Sequence, residues 1–344
     1  MVTAPVTILA DTARVRPADV LAYALALPRL APLRVPDLPY TALARLSALA
    51  PGALPPLHSF IASDGARLAY RSYGPRAGLQ LLLIHGSACF ADQLHHLASH
   101  IASQGLAAVH TIDMRGHGQN PRDQHAPANR FAADVAEFAL ALKRQTPLNR
   151  IVIGGHSAGG GLVTQVARLP MARHIAGWLL LAPYLGVATG TVRPFFGGWL
   201  TGIDRAGLAR ALLASLAGRP TGQRPLARFN REAVLHDPRF VRTWGFETVF
   251  GFGPGSVAGT GQPYIPASAP VLLLAGDADN CFLPAAYPAA LARIAPHGEA
   301  VILPGLGHWD ILAQPEALAA TAGWLQRHWS KGHAFKKEEV ANAN

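Results

Sequence analysis

Three mostly apolar runs, at residues 79–85, 106–113 and 150–155, lack the in-and-out alternation of a half-exposed strand, and amphipathic stretches at 92–103 and 129–145 separate them. Such runs suit strands covered on both faces, and strands that alternate with helices demand right-handed crossovers between parallel neighbours. The series continues with strand patterns at 175–181, 270–276 and 299–303 and closes on a helical pattern at 315–329. Ahead of it, residues 58–61 and 67–73 flank Asp64-Gly65, a hairpin turn signal. The expected fold class is α/β, a doubly wound and mostly parallel sheet.

Two stretches stand outside that alternation. Residues 1–57 carry helical patterns at 18–27 and 40–49, the second with Leu43, Leu46 and Leu49 on one side. Prolines at 28, 32, 36, 39, 51, 55 and 56 forbid longer helices and central strands there, so a Pro-rich extension with short helices is expected. The interval 184–269 is far longer than the roughly 10 to 20 residues a crossover needs, so it should be an inserted cap or lid. It contains Gly197-Gly198-Trp199, a helical pattern at 205–217, aromatics at 240–252, and nine arginines against four acids. Those arginines are expected to be mainly solvated. The core would then comprise 58–183 and 270–330, and residues 331–344, which hold three of the four lysines, should be disordered.

Half of the 344 residues are apolar, enough for one large core. The net charge of +10 suits anionic surfaces or acidic substrates, yet no dense Lys/Arg run with interleaved aromatics marks a nucleic-acid face. No nucleic-acid partner is expected. Arg14 is the first cation and Asp11 and Asp19 interrupt the early apolar runs, which does not read as a secretory leader. The nearest candidate for a membrane span, 20–27, is closed by Pro28, so peripheral membrane contact is the most that is expected of a cytoplasmic protein. Cys89 and Cys281 match no metal spacing; free packing thiols are expected, with a disulfide between them left open.

The chemistry centres on Gly155-His156-Ser157-Ala158-Gly159, a strand-turn-helix with serine at its tip. Glycines two before and two after the serine leave room where strand and helix nearly collide. The turn presents the Ser157 hydroxyl and leaves the Ala158 N–H at a helix N-terminus, where developing negative charge is stabilised. A serine hydroxyl needs a base, and the base an orienting carboxylate. Gly276-Asp277-Ala278-Asp279 and Gly307-His308 follow two later strands, and a doubly wound sheet gathers ligands at such carboxyl ends. Ser157, an aspartate and His308 should therefore meet at one sheet edge; spacing alone leaves Asp277 and Asp279 both open. The remaining histidines, His95, His96, His100, His110, His117 and His156, are expected to be packing or surface residues, and Arg115 a loop anchor.

On His85-Gly86-Ser87, Asp113 through Gly118, the elbow, Gly276 through Asp279, and Gly307-His308, the chain from His58 to Trp329 resembles the α/β-hydrolase superfamily. Within it, the likeness is to the lysophospholipase and monoacylglycerol-lipase-like, serine aminopeptidase-like group. The resemblance implies an eight-stranded-type sheet with an inserted lid, Asp279 as the acid, and the Ser87 N–H beside that of Ala158 as oxyanion donors. It further implies a serine esterase working by acyl transfer without metal or organic cofactor, on a small-molecule or lipid ester such as an acyl-glycerol or lysophospholipid. Peptidase, haloperoxidase or C–C hydrolase activity on the same triad, or a non-catalytic binding protein, are the alternatives.

Overall fold

A computed structural model describes residues 46, 48–49, 52–75, 78–123, 126, 128–145, 150–186, 189–203, 206–207, 209–210, 213, 226–229, 237, 239–245 and 265–329. The apolar runs become the strands β1 (Leu57–Ile61), β2 (Arg67–Tyr73), β3 (Leu79–Ile84), β4 (Ala108–Ile112), β5 (Arg150–His156) and β6 (Ile175–Leu181). Three shorter strands, β7 (Leu200–Ile203), β8 (Leu226–Phe229) and β9 (Thr243–Gly245), lie in the long interval, and β10 (Val271–Gly276) and β11 (Glu299–Leu303) complete the set. The main sheet has eight strands in the order β1-β2-β4-β3-β5-β6-β10-β11.

Pairing is antiparallel for β1 with β2 and β2 with β4, and parallel throughout the rest. Every residue of β3, β4 and β10 is buried, as strands covered on both faces require. The crossovers include α1 (His95–Ser103), α2 (Ala128–Gln145), α3 (Ala158–Val166) and α4 (Tyr287–Ile294), and α5 (Pro315–Trp329) follows the last strand. Strand order and direction place the carboxyl ends of β3, β4, β5, β10 and β11 along one edge.

The helix expected from residue 92 begins later. Ala91–Leu94 is a tight 3-10 turn, because the Asp92 carboxylate is held by Arg71 at 2.6 Å and the Phe90 N–H by the Gln93 side chain at 3.4 Å. Helix α4 is additional to the expected elements; its proline lies in the first turn, where a missing N–H breaks no helical bond. Strands β7 to β9 were too short to be legible and form a separate antiparallel sheet. Most of the expected extension at 1–57, most of the helical pattern at 205–217, most of the aromatic stretch at 240–252 and the tail at 331–344 lie outside the described residues. Leu46, from the second N-terminal helical pattern, is buried in the core. No helix among the described residues is long and apolar enough to cross a membrane.

Leu82 sits at the centre of β3 with no exposed surface. Leu82→Ala should cost about 2 to 5 kcal/mol through lost burial and a residual cavity, read as a lower urea midpoint at unchanged slope.

Candidate active site

Ser157 links the end of β5 to the start of α3 with φ 56° and ψ −119°, a left-handed backbone on a residue with a side chain. Such a conformation costs on the order of 1 to 3 kcal/mol and persists only where surroundings fix it. Here the Ser157 N–H donates to the Leu181 carbonyl at 3.0 Å, and the Ser157 carbonyl accepts from Tyr184 at 2.8 Å and Gly161 at 3.2 Å. The flanking glycines are sterically required. A Cβ at Gly155 would collide with the Gly159 carbonyl, and one at Gly159 with the Ile84 and His85 carbonyls at the end of β3.

Two and three strands away from β5, Asp279 and His308 follow the ends of β10 and β11. His308 Nδ1–H donates to Asp279 Oδ2 at 2.8 Å, with both side chains buried. The other carboxylate oxygen accepts the Cys281 N–H at 2.7 Å and the Phe282 N–H at 2.9 Å. Burial alone would raise the Asp279 pKa, but the charge and hydrogen bond of His308 and the two amides outweigh it and hold the carboxyl below its ordinary range. Asp277, by contrast, is exposed and accepts the Gly305 N–H at 2.7 Å, bracing the turn after β11. The structure thus brings Asp279, rather than Asp277, to His308. Phe282 and Trp309 pack edge-on against the His308 ring at 5.1 and 4.9 Å.

His156, read from the sequence as a packing or surface residue, does more than pack. Its Nε2–H donates to the His308 carbonyl at 3.0 Å, so the elbow itself holds the backbone of His308. Burial and the neighbouring His308 lower its pKa to about 3, keeping the imidazole neutral. His85 acts similarly at the opposite loop: Nδ1–H donates to the Gly86 carbonyl at 2.8 Å and Nε2 accepts the Met114 N–H at 2.9 Å. That double role also demands a neutral ring. His117 is buried, donates from Nδ1 to the Arg115 carbonyl at 2.9 Å and lies edge-on to Trp244 at 4.5 Å.

The loop after β3 carries Ser87, followed by Ala88 at φ 63°, a second left-handed residue with a side chain. Asp113, at the end of β4, ties this loop to the next by accepting the Ala91 N–H at 2.7 Å and the Gln119 N–H at 2.9 Å. Burial drives the Asp113 pKa up to about 6 against the lowering effect of those amides. Arg115 bonds Asp134 through two nitrogens at 2.9 and 2.8 Å and Asp64 at 3.1 Å, a loop anchor as expected.

Ser87, Ser157 and Ala158 line one crevice of about 340 Å³ counting its mouth, with Phe196, Trp199 and Phe282 among the aromatic residues on its walls. The Ala158 amide opens α3, where helix N–H groups have no intrahelical acceptor.

Two of the nine arginines of the long interval are tied into this region instead of being solvated. Arg193 donates from Nε to the carbonyls of Asp279 at 3.1 Å and Phe282 at 2.7 Å, and Arg239 reaches Asp92 at 2.7 Å. Sequence reasoning missed them because their partners lie 86 and 147 residues away.

Cys89 and Cys281 are both buried free thiols, and burial raises the pKa of each. Asp279, Cys281 and His308 offer ligand atoms within 4.8 Å of one another. That grouping makes a poor metal cage, since the carboxylate is already committed to three hydrogen bonds and the thiol is held protonated. His95 bonds the Tyr73 hydroxyl at 3.3 Å and His100 bonds Gln104 at 2.9 Å.

A model of the alpha/beta hydrolase family matches residues 81–321. A monoacylglycerol lipase of Mycolicibacterium smegmatis is 28% identical over 291 residues, 79% of this chain and 97% of that protein. A non-heme chloroperoxidase of Streptomyces lividans is 31% identical over 193 residues, 55% of this chain and 67% of that protein. Among solved structures, a soluble variant of the Saccharomyces cerevisiae monoglyceride lipase, in complex with a substrate analog, aligns at a TM-score of 0.62 and 18% identity. The alignment covers 80% of this chain and 96% of that one.

Two outcomes follow from the site's geometry. Asp279→Asn should lower kcat on an ester by about 10⁴-fold, as when an orienting acid is lost, whereas Asp277→Asn should stay within a few-fold. For Asp113, the folded pKa of about 6 lies above the ordinary 3.8, so the folded protein binds this proton more tightly than the unfolded one. Its stabilising contribution is full below about pH 4 and lost as pH rises through 6. Urea midpoints of wild type and Asp113→Asn across pH 4 to 7 should show the wild type losing ground to the variant over that window.

Proposed function

The chain belongs to the alpha/beta hydrolase family, and from that footing we propose that it hydrolyses carboxylic esters through an acyl-enzyme on Ser157. The observation that carries the reading is the buried Asp279–His308 hydrogen bond of 2.8 Å, whose histidine backbone is held by the residue preceding Ser157. With Nδ1–H committed to Asp279, the free Nε2 of His308 is the basic nitrogen. In the first step His308 takes the Ser157 proton as the oxygen adds to the ester carbonyl, and the Ser87 and Ala158 amides receive the developing oxyanion. Collapse expels the alcohol, which leaves with the proton from His308. In the second step His308 activates water, the same donors bind the second oxyanion, and the acid is released with Ser157 restored. Donors of this kind are worth about 10²- to 10³-fold each in rate.

For substrate we propose an acyl-glycerol or lysophospholipid type of lipid. Supporting this are the aromatic walls of the crevice and the likeness to a relative named monoacylglycerol lipase. Residues 184–269 would act as the cap that selects the acyl chain. The likeness to a chloroperoxidase favours a second reading, in which hydrogen peroxide instead of water attacks the acyl-enzyme and a peracid leaves.

A fluorophosphonate probe should label wild type at Ser157, and Ser157→Ala should lose labelling together with about 10⁵- to 10⁶-fold of p-nitrophenyl ester turnover. Full turnover by the alanine variant would end the proposal. A panel of acyl lengths on glyceryl, choline-phosphate and aminoacyl leaving groups should favour the glyceryl or choline-phosphate esters, and a peroxide-dependent halogenation assay separates the second reading.

A further inference from the structure

The loop that carries Ser87 is held from two sides. From the core, Asp113 accepts the Ala91 N–H and Arg71 holds Asp92. From the long interval come three separate contacts. Trp199 Nε1–H donates to Ser87 Oγ at 3.1 Å, and the Val241 N–H donates to the carbonyl of the left-handed Ala88 at 2.9 Å. Arg239 reaches across to Asp92 at 2.7 Å, lies over the Phe90 ring at 4.2 Å, and is braced by Asp237 at 2.6 Å. The same Trp199 packs edge-on to Trp309, next to His308, at 5.2 Å.

We propose that Trp199 and Arg239 are positioning residues of the reaction: the inserted segment, by fixing the Ser87–Asp92 loop, sets the first oxyanion donor. The argument rests on the acyl-enzyme reading of Ser157. A left-handed residue with a side chain returns to ordinary backbone angles unless its neighbours prevent it, and a rotation at Ala88 tilts the Ser87–Ala88 peptide, displacing Ser87 and with it the Gly86–Ser87 peptide that bears the donor N–H. An oxyanion donor acts only if it is preorganised within a few tenths of an ångström, since a donor that must reorient as charge develops loses its advantage. Asp92 is held jointly: Arg71 bonds Oδ1 at 2.6 Å and reaches Oδ2 only at 3.5 Å, and Arg239 supplies the short bond to Oδ2 at 2.7 Å. Arg239 is suited to that place: its planar guanidinium forms a fork with Asp237, a third bond to Asp92 and a face on Phe90, a combination lysine cannot fully copy.

The test compares Trp199→Phe, which keeps the ring and deletes the donor, with Arg239→Met and Arg239→Lys. Steady-state turnover of p-nitrophenyl butyrate, the rate of fluorophosphonate labelling and the melting temperature are read for each. Expected are a kcat fall of about tenfold or more for Trp199→Phe and Arg239→Met, KM within about twofold, labelling slowed in parallel, and partial recovery in Arg239→Lys. A merely structural role would lower the melting temperature and the active fraction while leaving kcat per labelled site unchanged, and that result overturns the proposal. If Arg239→Met fails to fold, Trp199→Phe decides alone. Ser157→Ala separates the two failures: an inactive alanine variant with wild-type kcat in Trp199→Phe sinks the positioning role only, whereas an active one sinks the underlying reading.

Discussion

The constraint on which the site depends is the meeting of three backbones around Ser157: the end of β5, the first turn of α3 and the end of β3. No side chain fits between them at Gly155 or Gly159, because the Gly159 carbonyl and the Ile84 and His85 carbonyls fill the space. That contact forces the chain through the left-handed angles at Ser157, and the forced angles present the hydroxyl to the crevice and open α3 at Ala158. The sheet exists around the contact in an energetic sense too. A strained residue is stable only because the flanking strands and helix are fixed by burial, and β3 and β5 are the buried middle of eight strands.

From that point outward, the site is a set of loops held to one another by buried polar groups. Four of these bonds run from one loop to another. His156 in the elbow holds the His308 backbone, Asp279 after β10 holds the His308 ring, His85 after β3 takes the Met114 amide after β4, and Asp113 returns to the loop after β3. Neutral imidazoles serve in this way because a ring with one N–H and one bare nitrogen joins a donor to an acceptor without a charge to desolvate. The cost of burying His156 and His85 in their protonated forms is what keeps them neutral.

Legibility in the sequence followed contact distance along the chain. Ser157, Ala158 and the two glycines were readable because elbow sterics act within two residues either side. His308 and an acidic partner followed from the rule that a parallel sheet gathers its strand ends. The choice between Asp277 and Asp279 was closed to pattern, since both lie past the strand, where alternation no longer assigns a face; burial separates them in the structure. Contacts made across 112 residues by Trp199 and Ser87, or 152 by His156 and His308, leave no local signal at all. The arginines show the same limit. Composition suggested a solvated charge surplus in the long interval, yet Arg193 and Arg239 are fixed by partners from the core.

The long interval is therefore hard to regard as a cover that could be exchanged freely. Trp199 contributes an aromatic wall to the crevice and a hydrogen bond to the loop of Ser87, so one residue is bound up with both what enters and how the carbonyl would be held. The bridge between Val192 and Phe282 ties the start of the interval to the segment whose amide helps seat Asp279. Changes that widen the crevice at these positions act on the polar contacts as well. A change at Leu200, which lines the crevice, acts on its shape, whereas one at Phe229 also acts on Trp199, whose ring it meets at 6.0 Å. Even the β7–β8 pair is coupled to the loop of Ser87 in this way, since Phe229 bears on the same Trp199 whose indole N–H holds the Ser87 hydroxyl.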